Sequence, residues 1–143
     1  VAAVEPARST GVEQLVQDWA LDVAQAGGHV REKRPGCIVA TFPGLDSIEA
    51  AMRTALILKR RTRAQRLSVL RPIYLRVGIH TISELAERMC DEAPRGGIVV
   101  GAECLSDDDS VSLRRRFRLE SAGQVRFRGH RSPVKLLHVI SGR

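Results

Sequence analysis

Cysteine and histidine, which often serve as nucleophile and general base, are few in this chain and stand apart from one another. Its three cysteines, Cys37, Cys90 and Cys104, form neither a CxxC pair nor a cluster with histidine, so they predict neither a disulfide framework nor a zinc site. We interpret them as buried free thiols of a reducing compartment. The four histidines are not paired with a serine or cysteine in a nucleophile elbow, which favours structural histidines over catalytic ones.

Motifs for phosphates and cations are weak as well. Gly96-Gly97 is not followed by the GKS or GKT of a P-loop. The run Asp107–Asp109 lacks the alternation of an EF-hand, so we expect a solvated loop there.

The charge balance favours anionic partners without choosing among them. The chain has 23 Lys and Arg against 16 Asp and Glu, a formal net charge of +7. Arg114–Arg118 and Arg126–Arg128 each enclose a phenylalanine that could stack on a base. Aromatic RNP strings are missing, and a strand with Phe inward and Arg outward explains the same residues. Nucleic-acid binding remains as a further alternative.

Length and composition predict one ordinary globular domain over residues 1–143. The chain is 43% hydrophobic and 27% charged, which excludes wholesale disorder. Only 3% is aromatic, so the core must consist of Val, Leu, Ile and Ala. No run of about 18 apolar residues predicts a membrane span, and no leader is visible. We therefore expect a cytoplasmic protein.

Hydrophobic periodicity predicts strand, helix, hairpin, helix, strand, helix, strand and hairpin, in that order. The expected elements are Val1–Glu5, Thr10–Ala26, the pair His29–Arg34 and Cys37–Phe42, a helix from Asp46 to about Arg63, Ile73–His80, Ser83–Glu92, Gly97–Val100, and the pieces Phe117–Glu120, Gln124–Arg128 and Val134–Ile140. The βαββαβ centre predicts an α+β, ferredoxin-like sandwich. Its sheet is mainly antiparallel, with the helices on one face.

Five segments follow one another along nearly the whole chain: Val4–Thr10, Gly27–Phe42, Leu75–Thr81, Ala93–Val100 and Ala122–Leu136. In this order they resemble an "ADIVGST" strand end, a "GG-strand-GDG-strand-ATF" hairpin, "LRVGIHTG", "APGxILVS" and "LGEVELKGFSEPVRVY". These are motifs of the catalytic-domain homology family of class III adenylate/guanylate (nucleotidyl) cyclases. The fold that the resemblance implies is the ferredoxin-like cyclase core.

The resemblance also implies a metal site, which this sequence keeps only in part. Cyclisation requires attack of a 3′-hydroxyl on the α-phosphorus, assisted by two divalent ions between two carboxylates. The family's first aspartate falls on Glu5, still a carboxylate, and its second falls on Gly36, which has no ligand. The member is therefore degenerate. Mg²⁺ or Mn²⁺ is expected only together with a bound nucleotide.

Three further family positions fall on named residues. The purine-selecting position is Glu32, which favours guanine, although a solvated glutamate between Arg31 and Lys33 is the alternative. The vestigial transition-state arginine is Arg88, and Glu84 replaces the family's asparagine. The segment that normally precedes this helix is almost absent.

These departures predict a catalytically inactive or strongly impaired cyclase-like domain that acts as a regulatory or interaction module, with weak nucleotide binding at most. One alternative is a low-activity nucleotidyl cyclase, making a cyclic nucleotide from ATP or GTP. Another is half of a heterodimeric cyclase. The partners implied are a second copy, a cyclase-like chain or a nucleoside triphosphate.

Overall fold

A computed structural model describes residues 2–4, 10–44, 46–66 and 74–142. Within these ranges seven strands and four α-helices follow each other along the chain. They are β1 (Ala2–Val4), α1 (Thr10–Gln25), β2 (His29–Arg34), β3 (Cys37–Thr41), α2 (Ser47–Arg66), β4 (Leu75–Ile79), α3 (Ser83–Glu92), β5 (Ile98–Gly101), α4 (Asp107–Arg116), β6 (Phe117–Val125) and β7 (Val134–Gly142), with a 3₁₀ turn at Ala102–Cys104.

The strands form one sheet in the order β2-β3-β1-β4-β5-β7-β6. All neighbouring pairs are antiparallel except β4 and β5, which are parallel. The predicted α+β class with a mainly antiparallel sheet is confirmed. Since β1 runs antiparallel to both β3 and β4, those two strands point the same way and end at the same edge of the sheet.

Three helices cover one face of the sheet. Trp19 of α1, Met52 of α2 and Leu113 of α4 belong to one buried cluster with Val77 and Ile79 of β4. With few aromatic residues, this cluster consists mostly of aliphatic side chains, and Trp19 is fully buried in it. The Trp19 indole N–H donates to Thr62 Oγ1 over 3.2 Å, which satisfies the buried donor and joins α1 to α2.

The opposite face is covered by α3, which differs from the expectation that the helices share one face. Leu85 and Met89 of α3 pack with Val99 of β5 and Val134 of β7 in a second buried cluster. Strand residues alternate between the two faces of a sheet. Ile98 and Val100 belong to the first cluster, so Val99 between them points to the opposite face. The helix approaches closely at Gly78, which carries no side chain.

Two predictions about the second half of the chain are wrong in detail. The acidic run Asp107–Asp109 is the first turn of α4 and not a loop. Basic residues in the last turn of this helix, Arg114–Arg116, suit the helix dipole. The pieces around Glu120 and Gln124 form one strand, β6, whose register shifts before Gln124. This strand ends at Val125 and not at Arg128.

The described helices offer no segment that combines the length and the apolar character needed to cross a bilayer.

We predict that Gly78→Ala strongly destabilises the protein. A Cβ at Gly78 would lie 2.6 Å from the Cys90 amide nitrogen, and closer still to the Ala86 carbonyl oxygen, so the backbone of α3 must move. Overpacking against backbone should lower the free energy of unfolding by about 3 kcal/mol. Gly142→Ala is the matched control, because its Cβ would meet only Leu56 at 3.9 Å. Urea unfolding curves in which both variants match the wild type would contradict the packing described for α3.

We also predict an acid-dependent contribution from Glu49 in the first turn of α2. Its carboxylate accepts hydrogen bonds from Arg116 and Arg53, each at 2.8 Å, and these bonds lower the pKa of Glu49, Arg116 most of all. A pKa lowered by folding contributes stability above the unfolded value of about 4.3 and loses it as pH falls through the folded value.

Arg116→Ala should therefore cause a small decrease in the free energy of unfolding at pH 7 that disappears in acid. Arg115→Ala, an exposed neighbour on the same helix, serves as the control. Denaturation measured at pH 7 and pH 3 tests this. An equal effect of Arg116→Ala at both pH values would show that the Glu49 ion pair is not responsible.

Candidate functional site

The resemblance places the metal-binding positions, Glu5 and Gly36, at the edge of the sheet where β1 ends. Ala3 pairs with Cys37, so the end of β1 lies beside the two-residue turn that joins β2 to β3. Gly36 in this turn is buried and has φ +72°, a left-handed conformation that favours glycine. The turn therefore contributes backbone and no ligand side chain. Glu5, the predicted metal ligand, lies outside the described residues.

The donor set at this edge does not fit the two Mg²⁺ or Mn²⁺ ions that the resemblance implies. Such ions take hard oxygen ligands, chiefly carboxylates that bridge them. The Gly36 position supplies none, and across the described ranges no group of three His, Cys, Asp or Glu residues could hold a metal ion. We derive no catalytic step through metal ions for this chain.

Glu32, the predicted purine-selecting residue, takes part in an ion-pair cluster on the face that carries α3. It stands on β2 opposite Val39, and its Oε1 lies 3.0 Å from Arg34 Nε. Arg34 also donates to the carboxylate of Glu87 on α3, and this bond is the main cause of a raised pKa of the guanidinium. The cluster fastens the hairpin to α3 and partly neutralises the Glu32 carboxylate.

Arg88, the predicted transition-state residue, bonds to its own chain. Its Nη1 donates to the carbonyl oxygen of Arg128, in the β6–β7 connection, over 2.5 Å. The side chain is nevertheless on the surface, as is Glu84 one turn earlier in α3. Arg88 and Glu32 therefore bind different parts of the chain, and the structure does not join them in one site by a hydrogen bond or ion pair among the described residues.

None of the three cysteines forms a disulfide, and they lack the signs of reactive thiols. Cys90 is buried as predicted, whereas Cys37 and Cys104 are only half-buried, which differs from the prediction. Burial raises the pKa of both Cys37 and Cys104, so these groups remain thiols at neutral pH. For Cys104, desolvation by burial is the larger influence and outweighs the bonds from Thr81 that lower its pKa. A nucleophilic role requires the thiolate, so none is assigned to these residues.

The two phenylalanines of the arginine-rich segments face the interior. Phe117 is 1% exposed and Phe127 is 6% exposed, whereas Arg118, Arg126 and Arg128 lie on the surface. Buried rings cannot stack on bases, so these segments lack the aromatic platform that single-stranded nucleic acids require.

A polar cluster that the sequence does not predict lies at the opposite edge, where β4 and β5 end. The His80 side chain is only 2% exposed, and its Nε2 lies 2.6 Å from Glu103 Oε1. His130 Nε2 lies 3.7 Å from the same oxygen. Thr81 N–H donates to Cys104 Sγ over 3.4 Å and adds a further link between the β4–α3 turn and the 3₁₀ turn.

The hydrogen bonds of His80 identify its tautomer. Nδ1 accepts from the Ile82 N–H over 2.9 Å, so it carries no proton, and Nε2–H therefore donates to Glu103. A carboxylate that orients an imidazole is also found in catalytic triads, but there the second ring nitrogen takes the proton of the nucleophile. Both nitrogens of His80 are committed to the chain. This cluster therefore holds the two turns together, and no short motif signals it because its members are far apart in sequence.

Comparison with solved structures shows the fold of nucleotidyl cyclase domains. The adenylyl cyclase CyaB from P. aeruginosa is similar with a TM-score of 0.77 and 14% identity, over 99% of this chain and 92% of that one. The guanylate cyclase domain of RhGC from Catenaria anguillulae, solved with GTP, is similar with a TM-score of 0.75 and 12% identity, over 99% of this chain and 94% of that one. A dimeric guanylyl cyclase domain of the RhoGC fusion protein from Blastocladiella emersonii is similar with a TM-score of 0.70 and 12% identity, over 94% of this chain and 86% of that one.

No protein-family model matches the sequence, and no curated protein matches it. The resemblance inferred from the five strings is confirmed at the level of the fold. At these identities the likeness establishes the architecture alone.

We predict that Glu103→Ala destabilises the protein by about 1–3 kcal/mol, because the buried Nε2–H of His80 then has no acceptor. Glu103→Gln keeps an acceptor oxygen, so it should lower the free energy of unfolding less than Glu103→Ala does. His130→Ala should have a smaller effect still, since its distance of 3.7 Å exceeds that of a hydrogen bond. Chemical denaturation of the three variants measures the order, and a Glu103→Ala protein as stable as the wild type would disprove the role given to the carboxylate.

Proposed function

We propose that this chain is a cyclase-fold domain that does not cyclise nucleotides and acts as a regulatory or interaction module. The observation that carries the proposal is Gly36. It occupies the turn where the family's second metal-binding carboxylate belongs, and it has no side chain to bind a cation. Removing one of two bridging carboxylates should cost several kcal/mol of transition-state stabilisation, or several decades in rate.

The ion pairs around the other family positions support the same proposal. Arg34 holds Glu32 on one side and Glu87 on the other, so a nucleobase must compete with an existing ion pair for the Glu32 carboxylate. Glu84, at the position of the family's ribose-orienting asparagine, brings a negative charge that would repel a triphosphate. Nucleotide binding is therefore weak at most, with GTP favoured over ATP through Glu32.

The proposed partner is a second copy or another chain of the cyclase fold. The B. emersonii domain, whose fold this chain shares, has been solved both as a non-canonical dimer and as a monomer. A domain that keeps the fold without the metal ligands can still offer the surface that such a dimer uses. A second copy would carry the same formal net charge of +7, so the charge favours another chain with a complementary acidic surface.

One observation favours a second candidate, half of a heterodimeric cyclase. Arg88 lies on the surface of α3 and could reach a nucleotide bound by a partner, although it now donates to the Arg128 carbonyl. In that arrangement the partner chain supplies the missing carboxylate. The low-activity homomeric cyclase has no such support, since the carboxylate would be missing from both copies.

We predict no cyclic product when the purified protein is incubated with Mg²⁺ or Mn²⁺ and either ATP or GTP. Mass spectrometry of the nucleotides measures the product, and an active cyclase domain in the same buffer is the positive control. Product well above background that falls with Glu5→Ala would overturn the proposal. Activity that appears only in a mixture with a cyclase-fold partner, and falls with Arg88→Ala, would establish the heterodimer instead.

A matched pair of variants tests the metal argument directly. Gly36→Asp restores a carboxylate at a left-handed position that aspartate tolerates, whereas Gly36→Asn has the same shape without the charge. Calorimetric titration with Mn²⁺ and GTP should show tighter metal binding for Gly36→Asp than for Gly36→Asn or the wild type. Equal binding by all three proteins would mean that the missing side chain does not limit metal binding.

A further inference from the structure

A cavity of about 220 Å³ lies between α2 and the β3–β4 part of the sheet. Its walls are mostly apolar and include Ile38 of β3, Ile48 of α2 and Val77 of β4. The cavity is open to solvent on one side, where Ser47 is partly exposed and Ser83 is exposed. Its volume exceeds the roughly 150 Å³ of an apolar cavity that binds benzene in another protein, so a small organic molecule fits.

The cavity exists because the side chains facing it from α2 and β3 are small. Ala51 and Ala55 line it from successive turns of α2, and Ala40 lines it from β3. Ala55 is only 2% accessible, so neighbouring side chains already cover it, whereas Ala51 and Ala40 are partly accessible and border the open space. A larger apolar residue at Ala51 would fill this space.

Polar side chains gather at one end of the cavity. β3 and β4 end at the same edge, and α2 and α3 begin there, which brings together the hydroxyls of Thr41, Ser47, Thr81 and Ser83. His80 also lines this end, but both its ring nitrogens are already bonded to the chain. The hydroxyls of Thr41 and Thr81 also have partners in the chain, Arg31 Nε and Cys104 Sγ. The mouth therefore offers chiefly the hydroxyls of Ser47 and Ser83, while the deeper walls are apolar.

No charged side chain is among the described residues that line the cavity. The nearest cation is outside the lining, where Arg31 Nε donates to Thr41 Oγ1 at the mouth over 3.0 Å. An ionised group bound among the apolar walls would therefore have no counter-ion, and burying an unpaired charge is costly. The edge is also the one opposite to the β2–β3 turn with Gly36, where the family's metal site belongs. This cavity is thus a separate feature from the degenerate cyclase site.

We infer that the cavity binds a neutral, compact apolar molecule with a single hydroxyl group, such as a phenol or an aryl or short-chain alcohol. The apolar part fills the space beside Ala51 and Ala55, and the hydroxyl bonds to the serine and threonine hydroxyls at the mouth. A dry apolar cavity of comparable size is known to bind benzene in another protein. The inference does not depend on whether the domain cyclises nucleotides.

The experiment is a titration of the wild type with benzyl alcohol, followed by amide chemical shifts and by the melting temperature. We expect saturable shifts of amides around the cavity, at Ala51, Ala55 and Val77, and a rise in melting temperature. Benzoate, which has a similar shape and a negative charge, should bind at least tenfold more weakly. The absence of saturable shifts with benzyl alcohol, or equal binding of benzoate, would overturn the inference.

Variants of α2 locate the binding. Ala51→Leu should fill the cavity and weaken benzyl alcohol binding at least tenfold, whereas Ala64→Leu, the same change at an exposed position of the helix, should bind like the wild type. If Ala51→Leu does not fold, the smaller change Ala51→Val and the shift map of the wild type provide the same test. A folded Ala51→Leu or Ala51→Val protein that binds like the wild type would place the ligand elsewhere and refute the site.

Discussion

The close approach of α3 to the sheet at Gly78 is the constraint on which the rest of this structure depends. Because this glycine has no Cβ, the backbone of α3 lies directly against β4. The Ala86 carbonyl and the Cys90 amide are the groups of α3 nearest to Gly78. The connection from β4 to α3 can then be as short as His80–Ile82. That short turn positions His80 for its bond to Glu103, and the helix that follows presents Glu87 to Arg34 and Arg88 to Arg128.

The strands and helices were largely predictable, because their apolar residues recur with the period of the element that buries them. The prediction that α3 shares one face of the sheet with the other helices was wrong, although one signal against it was available. Ile98, Val99 and Val100 form a continuous apolar run, and strands of that kind are buried on both faces. A sheet whose central strand is buried on both faces requires helices on both sides, and α3 supplies the second.

The candidate site could be predicted only where it depends on single residues. The missing ligand at Gly36 follows from the residue type, and the structure adds that the position is a buried left-handed turn. The ion pairs of Glu32 and the hydrogen bond of Arg88 could not be predicted, since each joins segments that only the sheet order brings together. The same applies to His80 and Glu103, which are 23 residues apart in sequence.

The cavity depends on the composition of the core, because small side chains such as Ala40 and Ala51 face it. A ligand that binds there only in the folded state stabilises the domain, and this contribution grows with ligand concentration. A core with alanines facing this space therefore makes the stability of the domain respond to a small molecule, at the edge of the sheet where β3 and β4 lead into α2 and α3.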